Sequence, residues 1–485
     1  MLNYTLDQLV RTTVWLTAER NIDSLLEKIL EEAMKITASD GGTVYTLEDD
    51  GMLHFRSSIT KSKGINKSTG KGNMDIPPVP LERKYVVANA VMDHVRINVA
   101  DVYHDNKYDF SGAQKYDAFN SYHTTSMMII PMEDEKGKVN GALQLINAQD
   151  ETGNAIPFDK EQEDLIAALA SLTAVSLNNQ KLSKDVYDIL HSFVQVMVGA
   201  IDMRTPYNAN HTKSMVRYGE RFVAWLNASD SEWKIPEEKI DAFLMSIWLH
   251  DIGKLITPLE VMDKATRLGS KEDDVMHRIS TGRLMERIRA LEHPEEAEDA
   301  KAAIEALDKA QELIQKVNSA GFLQDEVLAE VEEITKITCL TEAGERVPLF
   351  TPEEHVSITV RKGTLTDEER SIMQSHVSDT ARMLTKMKFR GDYAQVPAWA
   401  SAHHELLNGR GYPDHKSGDE IPNEVRILTI IDVYDALTAE DRPYKPPMPV
   451  EKAFGILDSM RDHGEIDGDI LEMFKESKAW EKKSE

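Results

Sequence analysis

The chain has 485 residues, 41% hydrophobic and 29% charged, a balance that predicts a soluble protein of two or three domains. Its net charge of −27 argues against a nucleic-acid polymer as partner, because such binding relies on a basic surface. Cys339 is the only cysteine, so neither an intrachain disulfide nor a thiolate metal site is expected. The absence of a long apolar run and of a signal-peptide pattern predicts a cytoplasmic protein with no membrane partner.

Residues 1–157 alternate between helical and strand-like patterns. Ile22–Ile36 is predicted to be an amphipathic helix, and residues 49–51 a hairpin turn between two strands. Segments 126–132 and 139–147 are predicted to form a second strand pair. Strand pairs between helices resemble a GAF domain, an α+β sensor module. This resemblance implies a small-molecule ligand, whose identity stays open.

Residues 158–203 are predicted to form a helical linker that runs into the first helix of the next domain. Its apolar residues recur at alternating four- and three-residue steps, as in a coiled-coil seam: Leu182, Val186, Ile189, Phe193, Val196 and Ala200. The spacing favours a homodimer held together by this helix. The alternative is that the apolar face packs on the next domain without a second chain.

Residues 204–475 carry a series of side chains suited to metal binding. The series consists of His211, His250-Asp251, His376, His403-His404 and Asp432. The apolar run 243–249 predicts a buried helix that ends at His250-Asp251. Imidazoles mixed with carboxylates suit iron, manganese or zinc better than calcium. A further His-Asp pair, His104-Asp105, lies in a polar loop and is predicted to have no role.

This ordered series, with the Gly-Arg-Gly-Tyr-Pro stretch at 409–413, resembles the HD-GYP family of metal-dependent phosphodiesterases that act on cyclic dinucleotides. The resemblance implies an all-α catalytic domain with two divalent metal ions, iron or manganese. It also implies which residues hold each metal: Asp251 bridges the two, His211, His250 and Asp432 complete one site, and His376, His403 and His404 the other. The expected substrate is cyclic di-GMP. Cyclic GMP-AMP, another nucleotide, and a non-catalytic cyclic-dinucleotide receptor remain alternatives.

The same resemblance assigns roles around the metals. Asp251 and Lys254 are expected to be catalytic, and Asp435 is expected to orient a ligand histidine or the loop. The substrate is expected to contact Lys254, Arg442, Lys445, Tyr207, Gly411, Tyr412 and Pro413. Arginine fits a phosphate with two parallel hydrogen bonds, which favours Arg442 for that contact.

Two features depart from the family pattern. Residues 270–345 are acidic and helix-rich, and we interpret them as an insertion, either a solvated helical hairpin or a cap over the active site. The insertion makes His277 a competitor for the third histidine position, although the residues that flank His376 favour His376. Tyr207 stands four residues before His211, where three-metal members of the family have a glutamate, so two metals are expected.

Overall fold

The computed structural model describes residues 21–204, 210–439 and 447–481. The chain divides into two compact units, Met1–Leu190 and His191–Glu485. Within the described residues, no helix combines the length and the apolar character needed to cross a bilayer.

The first unit is an α+β domain built on one antiparallel sheet of eight strands. The main strand order is β3-β2-β1-β7-β6-β5, with β4 paired to β2 and β8 to β7. The strands are β1 (Ser39–Leu47), β2 (Met52–Thr60), β3 (Ile65–Ser68), β4 (Val79–Pro80), β5 (Ile97–Val99), β6 (Met127–Glu133), β7 (Val139–Gln149) and β8 (Ala155–Ile156). The helices are α1 (Ile22–Ile36), α2 (Val86–Asp93), α3 (Ser111–Asn120) and the start of α4 (Lys160–Arg204).

Successive residues of β6 belong to different cores, because side chains alternate across a strand. Met128 and Ile130 pack with α1 and with the first turns of α4, whereas Met127 and Ile129 pack with α2. Two buried apolar layers therefore cover the sheet.

The local predictions for this unit are confirmed. Helix α1 spans Ile22–Ile36. Asn21 is its N-cap residue, and the Asn21 Oδ1 accepts a hydrogen bond from the Ser24 amide at 3.0 Å. The turn between β1 and β2 uses Gly51 at φ +75°, a conformation that favours glycine. Helix α4 is one uninterrupted helix of 45 residues.

The second unit is helical. After the end of α4 its helices are α5 (His211–Ala228), α6 (Glu237–Leu249), α7 (Leu259–Met262), α8 (Glu272–Glu292), α9 (Ala297–Val317), α10 (Asp325–Ile334), α11 (Pro352–Ile358), α12 (Asp367–Leu384), α13 (Val396–Ala400), α14 (Asn423–Thr438), α15 (Val450–Asp462) and α16 (Gly468–Ser477). Helix α12 packs on the 3-10 turn Ile252–Leu255, α13 on α6, and α14 on α5. These three pairings bring the histidine-bearing segments together.

The insertion is a packed helical subdomain with a hydrophobic core of its own. Helices α8, α9 and α10 share buried residues that include Ile279, Leu307 and Val331. A short ribbon of β9 (Thr338–Leu340) and β10 (Arg346–Pro348), which the sequence patterns did not indicate, adds buried Cys339. The core extends to α11, so the structure differs from a simple solvated hairpin.

The insertion begins and ends at one place on the helical unit. Arg267 is fully buried, and its guanidinium donates to the carbonyl oxygens of Val317 and Val360, at 2.5 and 2.7 Å. The amide of Gly363 donates to the carbonyl of Gly321 at 2.9 Å. Buried carbonyls need such donors, so Arg267 closes the base of the subdomain.

Candidate metal centre

All seven side chains predicted as metal ligands lie together in the second unit. His211 is the first residue of α5, His250-Asp251 follows α6, and Asp432 lies in α14. His376 lies in α12, and His403-His404 come after the end of α13, with two residues between. Six of them are buried, whereas the side chain of His404 is 29% exposed and marks the side open to solvent.

Asp251 lies between two groups of imidazoles. Its Oδ2 is 3.1 Å from His250 Nε2 and 3.8 Å from His211 Nε2. Its Oδ1 is 3.4 Å from His376 Nε2 and 3.9 Å from His403 Nε2. Each carboxylate oxygen therefore faces a different pair of histidines.

Asp432 provides a second carboxylate in the same centre. Its Oδ1 is 3.3 Å from His211 Nε2 and 4.0 Å from His250 Nε2. Its Oδ2 is 3.8 Å from His404 Nδ1. Ligand atoms converge in three overlapping groups suited to a metal: His211, His250 and Asp432; His376, His403 and His404; and His250, Asp251 and His403.

Three of the histidines are held with a free ring nitrogen that faces the centre. The Nδ1 atoms of His250, His376 and His403 lie 2.7, 2.6 and 2.7 Å from the carbonyl oxygens of Ile247, Met373 and Ala400. A carbonyl only accepts, so each Nδ1 carries a proton, and in the neutral form of the ring Nε2 keeps its lone pair. These Nε2 atoms and Asp251 Oδ1 are buried without a hydrogen-bond partner among the described residues. Buried polar atoms are costly without partners, and divalent metals fit this donor set.

His211 is oriented by a carboxylate instead of a carbonyl. Its Nδ1 donates to Asp435 Oδ2 at 2.7 Å, and its Nε2 faces Asp432 and Asp251. A carboxylate behind an imidazole fixes the ring and raises its basicity as a ligand.

Burial keeps three of the imidazoles neutral near pH 7. It lowers the pKa of His404 to about 4, lowers the pKa of His376, and holds the pKa of His403 well below its usual range. Burial alone would raise the pKa of Asp251, but the charges of His250 and Lys254 hold it well below its usual range. Neutral imidazoles beside an ionised carboxylate are the forms that bind a metal.

The raised pKa of His211 predicts that metal binding releases a proton. Burial opposes its charge, but Asp432 and Asp435 outweigh burial and raise its pKa to about 10. The metal-free protein therefore holds a proton on His211 at pH 7, and a metal at Nε2 must displace it. Metal affinity should rise with pH up to about 10, with about one proton released per chain at pH 7 to 8. Calorimetry of metal binding in buffers of different ionisation enthalpy measures this proton, and an affinity that does not depend on pH would contradict the expectation.

A close approach at Gly253 joins the turn after Asp251 to α12. A Cβ at Gly253 would lie 1.9 Å from the carbonyl oxygen of His376, so no larger residue fits. The Gly253 amide donates to Thr380 Oγ1 at 3.0 Å, and that hydroxyl donates to the His250 carbonyl at 3.0 Å. Sequence reasoning missed Thr380, because no motif marks a threonine that bridges two distant segments.

The loop at 409–413 lies beside His404. The Tyr412 ring centroid is 4.9 Å from that of His404, and a Cβ at Gly411 would lie 2.3 Å from the Leu406 amide nitrogen. Buried Glu405 accepts from the amides of Asp414 and Lys416, at 2.7 and 3.0 Å. Glu405 was also missed, although its position directly after the two histidines was a signal.

Of the other residues discussed in the sequence analysis, some are described by the structure and some are not. Lys254 Nζ lies 2.6 Å from Asp251 Oδ2, at the edge of the centre. Tyr207, Arg442 and Lys445 lie outside the described residues. His277 is exposed on α8, in the insertion.

A cavity of about 290 Å³ lies against the sheet of the first unit. Its lining is mostly apolar and includes the rings of Tyr45, Phe55, Tyr85 and Tyr116. Polar groups come from Gln144, whose Oε1 accepts from the Tyr45 hydroxyl at 3.1 Å, and from the charged residues Lys84 and Asp109. The lining suits a small, largely apolar ligand.

Fold and site together define a sensor-type α+β domain followed by a helical domain with a histidine-rich centre. Residues 21–177 match the GAF domain family, and residues 344–470 match the HD domain family. These two matched segments confirm the predicted recognition and fold class at the level of a GAF domain and an HD domain. The HD match contains His376, His403, His404 and Asp432 and begins near the end of the insertion.

Curated relatives match between about a fifth and three tenths of the chain. The 3'3'-cGAMP-specific phosphodiesterase 3 of Vibrio cholerae is 36% identical over 25% of this chain and 25% of that protein. The cyclic di-GMP phosphodiesterase response regulator RpfG of Xanthomonas campestris is 32% identical over 29% of this chain and 36% of that protein. The cyclic di-GMP phosphodiesterase of Thermotoga maritima is 36% identical over 21% of this chain and 27% of that protein. The chain thus spans about a quarter to a third of these relatives' lengths.

Proposed function

We propose that this chain is a metal-dependent phosphodiesterase that hydrolyses a cyclic dinucleotide, with cyclic di-GMP as the main substrate. The observation that carries the proposal is Asp251, whose two oxygens face two different pairs of histidines. Three of these four histidines, His250, His376 and His403, have a buried Nε2 without a hydrogen-bond partner among the described residues. The relatives' names support the substrate class. We infer that 3'3'-cGAMP is the second candidate, because three of the similar relatives are named as specific for it.

Hydrolysis adds water across one P–O bond of the ring, so the site must hold a phosphate and neutralise charge that develops on oxygen. Divalent cations held by the seven ligands would polarise the phosphate and acidify a water. Lys254 Nζ, beside Asp251, would hold a phosphate oxygen. The Tyr412 ring offers a face on which a purine base can stack. Arg442, Lys445 and Tyr207 complete the proposed substrate contacts.

The test of this function is a turnover assay on the purified full chain loaded with iron or with manganese. We expect hydrolysis of cyclic di-GMP or 3'3'-cGAMP to a linear dinucleotide. Chromatography of the products measures this conversion. Cyclic AMP serves as the mononucleotide comparison. Binding of a cyclic dinucleotide without turnover in both metal forms would favour the non-catalytic receptor.

We infer two metal ions per chain, with iron or manganese preferred because imidazoles and carboxylates share the centre. The neutral phenol expected at Tyr207, with an ordinary pKa of about 10, is a poor third-metal ligand near pH 7. Metal analysis of the purified protein should therefore give about two ions per chain. Three fully occupied sites in anomalous diffraction would contradict this number.

We further infer that the GAF cavity binds the small apolar ligand that regulates hydrolysis, and that the protein is a cytoplasmic homodimer. The seam of α4 supports the dimer. Its side chains are 53% to 70% exposed in the single chain at Leu182, Val186, Ile189, Phe193 and Val196. An apolar stripe of this length is typical of a surface that a second helix covers.

The double substitution Val186→Glu with Val196→Glu should separate the dimer into monomers. Both side chains are 66% to 70% exposed, so the change costs the single chain little, whereas a buried charge in a helix pair is strongly unfavourable. Sedimentation velocity at micromolar concentration measures the result. Gln195→Glu, exposed on the same helix at a position that points away from the seam, is the control and should leave the dimer intact. A wild-type monomer would contradict the inference.

A further inference from the structure

Arg204, the last residue of α4, contacts the turn that follows Asp251. Its Nη1 donates to the carbonyl oxygen of Lys254 at 3.1 Å and also to that of Leu255. Its Nη2 lies 3.3 Å from the carbonyl oxygen of Thr257. One guanidinium therefore holds three carbonyls where the 3-10 turn Ile252–Leu255 ends.

The other side of the same turn is closely packed against α12. Gly253 lies against the backbone of His376, and Thr380 bridges its amide to the His250 carbonyl. The backbone at Lys254 is thus fixed between α12 and Arg204. Since Lys254 Nζ lies 2.6 Å from Asp251 Oδ2, the position of that backbone sets where the ammonium stands in the centre.

The end of α4 is itself anchored in the second unit. Val194, Val198 and Ile201, spaced four and three residues apart, are buried on one helix face. The first turns of the same helix contribute Ile166 and Leu169 to the core of the GAF unit. Because Arg204 ends the same helix, its hydrogen bonds connect that helix to the carbonyls of the turn.

We propose that Arg204 is a positioning residue: it holds the backbone of Lys254 so that the Lys254 ammonium is placed for phosphate binding. Arg204 thereby connects helix α4 to the metal centre. The inference rests on the proposed phosphodiesterase function. Within the described part of the chain, the hydrogen bonds of Arg204 go to the carbonyls of Lys254, Leu255 and Thr257 and not to the proposed metal ligands, so its removal should weaken substrate binding and leave metal content unchanged.

A double-mutant cycle in the full-length chain tests this link. Arg204→Met should raise the KM for cyclic di-GMP about 5- to 30-fold, the size of coupling effects between neighbouring elements, at constant metal content. In a Lys254→Met background the same change should add less than about twofold, because the two residues act as one. Arg221→Met is the matched control, since Arg221 Nη1 donates to the Glu481 carbonyl at 2.7 Å in the same unit. It should leave KM unchanged.

Amide hydrogen exchange gives a readout independent of activity. The amides of Lys254 and Ile256 donate to the carbonyls of Asp251 and Gly253, at 2.9 and 3.0 Å. Arg204→Met should speed their exchange, Arg204→Lys less so, and Arg221→Met not at all. Unchanged exchange, or equal effects on KM in both Lys254 backgrounds, would overturn the proposal. If wild-type protein hydrolyses no cyclic dinucleotide, the proposed function fails, and the exchange measurement still decides the role of Arg204.

Discussion

Asp251→Ala is expected to abolish hydrolysis, with a loss in kcat/KM of at least about 10³-fold, while the fold remains intact. Asp251 Oδ2 faces His250 and Oδ1 faces His376, so one truncation removes a ligand from both sides of the centre. It also removes the partner of Lys254. Turnover of cyclic di-GMP and metal content are measured on the same preparation, with circular dichroism as the test of folding.

The chain contains its own control for this experiment. His104-Asp105 is the same dipeptide outside the centre, and Asp105 Oδ1 accepts from the Lys107 amide at 2.8 Å. Asp105→Ala should keep activity and metal content. An Asp251→Ala protein that retains more than a few per cent of activity with normal metal content would show that the carboxylate is not shared between two metals.

The elements predicted from the sequence are those specified by short-range patterns. Apolar residues at helical spacing were enough to predict α1 at Ile22–Ile36, and Gly51 to predict the hairpin between β1 and β2. The same reasoning predicted a linker at 158–203, which the structure describes as α4, Lys160–Arg204. Local propensity and tertiary packing agree at these elements, so a single sequence suffices.

The missed features depend on contacts between segments far apart in the chain. Thr380 contacts the turn at Gly253 across 127 positions, and nothing in the residues around either one indicates the pairing. The insertion was predicted as acidic and helical, but its core between α8, α9 and α10 depends on tertiary packing. In the candidate metal centre, the types of the converging residues and their order were readable from the sequence. Which carboxylate oxygen faces which imidazole was not.

His376→Ala should halve the metal content, from about two ions to about one per chain, and reduce activity sharply, whereas His277→Ala should change neither. His376 is buried in α12, with Nδ1 held by the Met373 carbonyl and Nε2 3.4 Å from Asp251 Oδ1. His277 is exposed on α8. Truncating His376 therefore removes a ligand that the backbone has already oriented, whereas truncating His277 removes a solvated ring.

Metal analysis and turnover of the two variants, purified side by side, separate the assignments. His376→Gln serves as a second variant, because it keeps most of the buried volume and separates ligand loss from the cavity that alanine leaves. It should lose metal as the alanine variant does. Loss of metal in His277→Ala with normal content in both His376 variants would move the third histidine position into the insertion, and the insertion would then contribute a ligand to the metal centre.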